Sequence, residues 1–212
     1  MLNNVKSIKI LNIILGALKK RIELELFKYN KKMTKKLNIT KEDFEQFAFL
    51  KEMNLKFKLN IKDIDINELN LGNKNLDNDI IELLGKIKFN KLKFSNLWKN
   101  YISDIKGIEK AKFEKLEILN LSENYISNID NILEKDNFKE LKKLHLYKNR
   151  ISDIKVLENI KFEKIEIFNF KELKRLSLNK NYISNIKILK KVKFEKLELL
   201  SLSENRISNI DN

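Results

Sequence analysis

His145 is the single imidazole in this 212-residue sequence, and no cysteine accompanies it. One histidine can exchange protons near neutral pH, but acid–base or nucleophilic catalysis also needs a partner group placed beside it. No such partner is marked in the sequence. Without cysteine there is no thiolate nucleophile, no disulfide framework and no thiolate zinc site. A lone histidine cannot supply a histidine-rich metal site. Gly16, Gly72, Gly85 and Gly107 are too scattered to cradle a phosphate. Carboxylates are abundant, but nothing pairs two of them in a protected cleft. The expectation is a non-enzymatic protein with no cofactor and no metal. What remains is the chemistry of binding.

Charge does not by itself name the ligand. The chain carries 44 Lys plus Arg against 30 Asp plus Glu, net +14. Residues 1–60 hold 14 basic and 6 acidic groups, so +8 of the +14 lies there. The stretch "KYNKKMTKK" could touch phosphate or acidic lipid. No nucleic-acid motif accompanies it, so a solvated helix face is the preferred reading and nucleic acid is not the expected partner. An apolar fraction of 42% is enough to build a core.

The positioning elements begin with helices. Ile8, Leu11, Leu15, Leu18, Ile22, Leu26, Tyr29, Met33 and Leu37 recur at intervals of three and four, the apolar stripe of a long helix or of two in register. A secretory signal is a poorer reading of Ile8–Leu18, because no small-residue cleavage site follows. No run approaches the ~18 apolar residues of a membrane span. The chain is therefore expected in the cytoplasm. Thr40-Lys-Glu-Asp43 signals a helix start, with Phe44, Phe47, Ala48 and Leu50 or Phe49 as its buried face. After Met53, alternation of Leu55, Phe57, Leu59 and Ile61 reads as a strand. This divides the chain into a helical cap, residues 1–54, and a second region, 55–212.

That second region is repetitive. "FEKLEILNLSENYISNI" from Phe113 recurs from Phe138, Phe170 and Phe194, with a weaker copy from Phe89 and a divergent one from Ile66. The pattern FxxLxxLxLxxNxISxI resembles the leucine-rich repeat, and its short form is similar to repeats of the type-1 protein phosphatase regulatory subunit and the bacterial internalins. The resemblance implies an α/β solenoid of about six coils. A curved parallel sheet would line its concave face, with short 3₁₀ or irregular segments on the convex side and the helical segment as N-terminal cap. Each coil buries its leucines only against a neighbouring coil. Asn100, Asn124, Asn149, Asn181 and Asn205 would form an inward structural ladder. Their intervals of 24, 25, 32 and 24 place an eight-residue surplus at 162–169 ("FEKIEIFN"), expected to bulge or to protrude as an extra strand. No C-terminal cap is evident after Ile210, so either the sequence is a fragment, the preferred reading, or the last coil's open edge pairs with another chain. Asp77–Gly85 looks more helical than the other return segments, and Lys74 stands where the first ladder Asn would be.

In such repeats the variable strand positions of the concave face usually bind. Here they include Phe94, Trp98, Ile118, Lys143, His145, Tyr147, Lys148, Arg175 and Lys180. Phe94, Trp98, Ile118 and Tyr147 have the composition of a protein-binding hot spot. Coils bearing Glu123 and Glu204 alternate with coils bearing Lys143, Lys148, Arg175 and Lys180. The expected function is a scaffold that holds a protein partner on this face. The alternatives are an adaptor, F-box-like or phosphatase-regulatory, docked through its N-terminal helices, and a polyanion binder acting through the basic N-terminus.

Overall fold

A computed structural model of the chain describes residues 40–111, 113–133, 138–159, 172–192 and 194–208. The expected helix over 8–37 and the insertion at 162–169 lie outside these residues. The chain divides into two compact units, residues 1–65 and 66–212.

In the first unit, α1 spans Lys41–Phe57. Thr40 caps it: the Asp43 amide donates to Thr40 Oγ1 at 3.1 Å, and the Thr40 amide donates back to Asp43 Oδ2 at 2.8 Å. The shorter Asp thus closes a reciprocal capping box usually made with Glu. Phe47, Leu50 and Met53 are buried, whereas Ala48 is exposed and Phe49 half-buried, so the apolar stripe is narrower than expected. The strand expected from Leu55 does not form. The helix continues through Phe57 and ends at Lys58, whose left-handed φ of 52° lets the Lys58 and Leu59 amides both reach the Asn54 carbonyl. The Asn54 side chain then holds Ile61 by two bonds of 2.8 and 2.9 Å. Four alternating apolar residues carry little weight against a helix already nucleated and a C-cap that satisfies its last carbonyls.

Among the described residues the second unit forms a parallel sheet of six three-residue strands laid down in chain order. They are β1 Glu68–Asn70, β2 Phe94–Asn96, β3 Ile118–Asn120, β4 Lys143–His145, β5 Arg175–Ser177 and β6 Leu199–Ser201. The middle residue of β1 to β5 points inward and is buried: Leu69, Ser95, Leu119, Leu144 and Leu176. On the other side the chain returns through short segments. These are α2 (Asn78–Lys86), 3₁₀ turns at Lys106–Lys110, Lys155–Asn159 and Lys187–Lys190, and one α-turn, α3 (Asp130–Leu133). Asp77 caps α2 through the Asp79 amide, and Ile80, Ile81, Leu83 and Leu84 fill its inner face.

Layers of identical type run across the coils. Phe89, Phe113 and Phe138 are at most 1% exposed, with ring centroids 6.4 and 6.2 Å apart. Leu92, Leu116, Leu141 and Leu173 form the next layer, followed by Leu71, Leu97, Leu121, Leu146 and Leu178. At ~1.5–3 kcal/mol per buried Leu or Ile, these layers are the main favourable term in the unit. In the last described coil Leu197, Leu200, Leu202 and Ile207 are only half-buried, because β6 is an edge strand.

Two glycines set the spacing between the first return segments. A Cβ on Gly85 of α2 would fall on the carbonyl oxygen of Gly107, and one on Gly107 would lie 3.0 Å from Glu82 Cα. Gly85→Ala therefore forces backbone apart. We expect a loss of about 1–3 kcal/mol, read as a lower urea midpoint with an unchanged slope. Ser95 occupies a leucine position, is 1% exposed and leaves its Oγ without a partner. Ser95→Ala should stabilise the chain by about 1 kcal/mol in the same measurement.

Candidate binding face

Register places the candidate residues in rows. The first row runs Glu68, Phe94, Ile118, Lys143, Arg175, Leu199, and the second Asn70, Asn96, Asn120, His145, Ser177, Ser201. Side chains two residues apart share a strand face, so Trp98, Ser122, Tyr147, Asn179 and Ser203 continue as a third row. Phe94 and Ile118 are immediate neighbours. Trp98 and Tyr147 are separated by the coil that carries Ser122, roughly 10 Å at normal strand spacing. The sheet therefore brings Phe94 and Ile118 together, while Tyr147 belongs with Lys143 and His145.

The second row is stiffened by its own amides. Asn70, Asn96 and Asn120 each accept a bond from the backbone two residues on, at 3.2, 3.1 and 3.0 Å, and Asn96 Nδ2 donates to Asn70 Oδ1 at 3.0 Å. These are Asx-turns, which end each strand and start the bend.

Below the face lies the asparagine ladder. Asn149 is typical: its Oδ1 accepts from the Ile126 amide at 3.0 Å, and its Nδ2 donates to the carbonyls of Leu121 and Leu146 at 3.0 and 3.2 Å. Asn124 does the same with Ile102, Leu97 and Leu121, and Asn181 with Ile151, Leu146 and Leu178. Asn205 bonds Ile183, Leu178 and Leu202. Asn100 accepts from both Lys74 and Leu76, so the coil with Lys74 in place of Asn still has its amides satisfied. These side chains bridge coils.

Lys148 and Lys180 stand at the rim, just before the ladder residues, with Lys99, Glu123 and Glu204. All five have φ between 52° and 55°. A left-handed non-glycine residue costs roughly 1–2 kcal/mol, and nothing in Lys or Glu announces it in the sequence. Four of these five charges are answered inside the chain. Lys148 Nζ lies 3.0 Å from Glu123 and Lys180 Nζ 3.3 Å from Glu204, and Trp98 Nε1 donates to Glu123 at 3.2 Å. The Lys148 ammonium holds the Glu123 carboxyl below its usual range, against a smaller opposing effect of burial. A second clamp sits at the start of the strands, where Glu117 lies 2.8 Å from Lys142 and 3.3 Å from Lys93. Exposed pairs of this kind contribute about 0–1 kcal/mol each.

Lys143 and Arg175 differ: among the described residues neither has an anionic partner. His145 sits beside them, half-buried. Its pKa is pushed down, first by burial and then by the charges of Lys143 and Arg175. The imidazole is therefore neutral at neutral pH. We expect its Hε1 resonance to titrate with a midpoint below ~6.5. As pH falls below that unfolded-chain value, the unfolded state takes up the proton first and stability declines towards the folded-state pKa; His145→Gln should flatten this slope.

Among the described residues no group of His, Asp and Glu could hold a metal, and no helix is long and apolar enough to cross a membrane. Repeat reasoning overlooked one set of residues. The position after each ladder Asn carries Tyr101, Tyr125, Arg150, Tyr182 and Arg206, and the first four of these line a groove beside the rim. The signal was present in the alternation of "NYIS" and "NRIS".

No protein-family model matches the chain, and no curated protein matches it. Solved structures do. An internalin C2 of Listeria monocytogenes is 21% identical with a TM-score of 0.50, over 76% of this chain and 66% of its own. An internalin F of the same species is 23% identical (TM-score 0.45; 68% of this chain, 43% of its own). A leucine-rich-repeat protein of Leptospira interrogans is 24% identical (0.46; 61% and 29%). The chain thus spans less than two thirds of the length of each. With six parallel strands in chain order, an asparagine at every strand exit from β2 onward and short return segments, the chain has the fold of a leucine-rich-repeat solenoid.

Proposed function

We propose that this chain is a non-enzymatic interaction module that binds a protein partner on the solvent-facing side of its sheet, the concave face of such solenoids. One observation carries the reading: the face is divided along the coils. Phe94, Ile118 and Trp98 offer partly exposed apolar surface on β2 and β3 and just after β2. Lys143 and Arg175 on β4 and β5 offer cations with no intramolecular carboxylate partner among the described residues. Large aromatic anchors beside unpaired charge are the usual make-up of an interface hot spot.

The division also states what the partner offers. It presents an apolar anchor over Phe94 and Ile118 and carboxylates over Lys143 and Arg175. Lys148, Lys180, Glu123 and Glu204 contribute less, because their charges neutralise one another. His145 remains an uncharged member of the row until a carboxylate approaches and raises its affinity for a proton.

Alanine at Trp98 and Tyr147 tests the reading. Both lie on the surface, so the fold survives their loss. Capture of a specific partner should fall by at least about tenfold for the pair, as hot-spot truncation costs ~2 kcal/mol or more. Capture that survives both substitutions would place the interface elsewhere.

A further inference from the structure

The turn after each ladder asparagine is registered by the backbone. The amides of Tyr101, Tyr125, Arg150, Tyr182 and Arg206 donate to Leu76, Ile102, Ile126, Ile151 and Ile183 of the preceding coil, at 2.7–2.8 Å. The five side chains therefore rise in a column along the edge of the sheet. Tyr101 and Tyr125 stack, with centroids 6.1 Å apart and planes within 8°. The Arg150 guanidinium lies 4.5 Å from the Tyr125 ring centre, and that of Arg206 lies 4.4 Å from Tyr182. The backbone bonds would form with any residue here, so the column is not needed for the fold. Yet Tyr101, Tyr125 and Tyr182 are 56, 39 and 44% exposed. Three large aromatics held at the surface in one line beside a groove of about 430 Å³ are more than scattered surface apolar residues.

The groove's lining carries Lys99, Lys148 and Arg150 against one carboxylate, Glu123. That carboxylate is already bonded to Lys148 and Trp98. Among the described residues no carboxylate pairs with Arg150 or Arg206, and Lys99 makes no ion pair although its charge is felt by Glu123. Part of the ring surface, by contrast, is in use. Tyr125 has Tyr101 on one side and Arg150 on the other, and Tyr182 is covered by Arg206. What the column adds to the exposed edge is donors, the phenol O–H of its tyrosines and the guanidinium N–H of its arginines.

We propose that this edge is a second binding site, and that it takes an extended carboxylate-rich segment of a protein. Carboxylates accept from planar guanidinium in a two-pronged geometry that the stacked, pre-oriented Arg150 and Arg206 favour. A single-stranded nucleic acid fits less well, because bases stack on successive open aromatic faces, and Arg150 and Arg206 already lie against Tyr125 and Tyr182. The proposal stands whether or not the sheet face binds.

The test uses the full chain and a fluorescein-labelled peptide of alternating Glu and Gly, followed by fluorescence anisotropy. Arg150→Gln with Arg206→Gln should weaken binding by about tenfold or more while leaving the thermal melting curve unchanged, since both side chains are exposed. Three results would overturn the proposal. One is equal weakening by Lys187→Gln with Lys190→Gln on the return side, which would mean net charge alone. Another is weakening by Trp98→Ala with Tyr147→Ala, which would move the peptide to the sheet face. The third is tighter binding of an oligothymidylate of matched charge, which would make the ligand a nucleic acid.

Discussion

Asn149→Ala should destabilise the chain by about 2–5 kcal/mol, more than any exposed substitution on the binding face. The side chain is 5% exposed. Its removal leaves the Ile126 amide without its acceptor and takes a donor from the Leu121 and Leu146 carbonyls. Each buried group left unsatisfied costs about 1–3 kcal/mol. Water cannot easily repair the loss, because Leu121, Ile126, Leu144, Leu146 and Ile151, all fully buried, belong to the same coils. Asn149→Leu should be no better: it restores volume but none of the three bonds. Urea unfolding followed by circular dichroism would read the effect. A loss below 1 kcal/mol would mean that the ladder contributes little and that leucine layers alone set the stability.

Phe113→Ala is expected to cost about 3–5 kcal/mol, by a different route. Phe113 is the middle ring of three, with Phe89 and Phe138 on either side. Truncation opens a cavity that neither neighbour can fill, because each is fully buried and fixed by its own coil. Phe113→Leu should recover much of the loss. In a solenoid every coil contacts chiefly its neighbours, so a cavity at the centre also uncouples the coils before it from those after it. The expected signature is a lower midpoint together with a shallower urea transition, as two-state behaviour breaks down. An unchanged slope with the full energetic loss would show that the six coils unfold as one.

How much of this was legible in the sequence follows from what each residue type can do. The repeat was legible because Phe, Leu, Ile and Asn occupy positions where only burial or an inward amide is tolerated. The strand and ladder positions follow from their spacing. The helical return after Asp77 was legible from its cap and apolar spacing. Leu55 to Ile61 misled because alternation over so few residues cannot outweigh the helix before it or the left-handed cap at Lys58. The rim residues Lys99, Glu123, Lys148, Lys180 and Glu204 were visible as charges, but their positive φ was not, since Lys and Glu are not turn-forming types. The pairing of Glu123 with Lys148 and of Glu204 with Lys180 reduces the charge left for a partner, and nothing in the sequence marks it. The Tyr/Arg column went unread for the opposite reason. It lies just outside the strand, where the repeat tolerates any side chain, so nothing in the packing pattern drew attention to it.

The central claim is that the sheet face holds a protein partner, and site-specific photo-crosslinking tests it most directly. A benzophenone side chain would replace Ser177 on β5, and in a second protein Lys187 on the return side. Both would be irradiated in extract of the source cells and their adducts identified by mass. The account predicts one dominant adduct from position 177, lost when Trp98→Ala and Arg175→Glu are combined, and none from position 187. The same adducts from both positions, or an adduct at 177 that survives those substitutions, would contradict it.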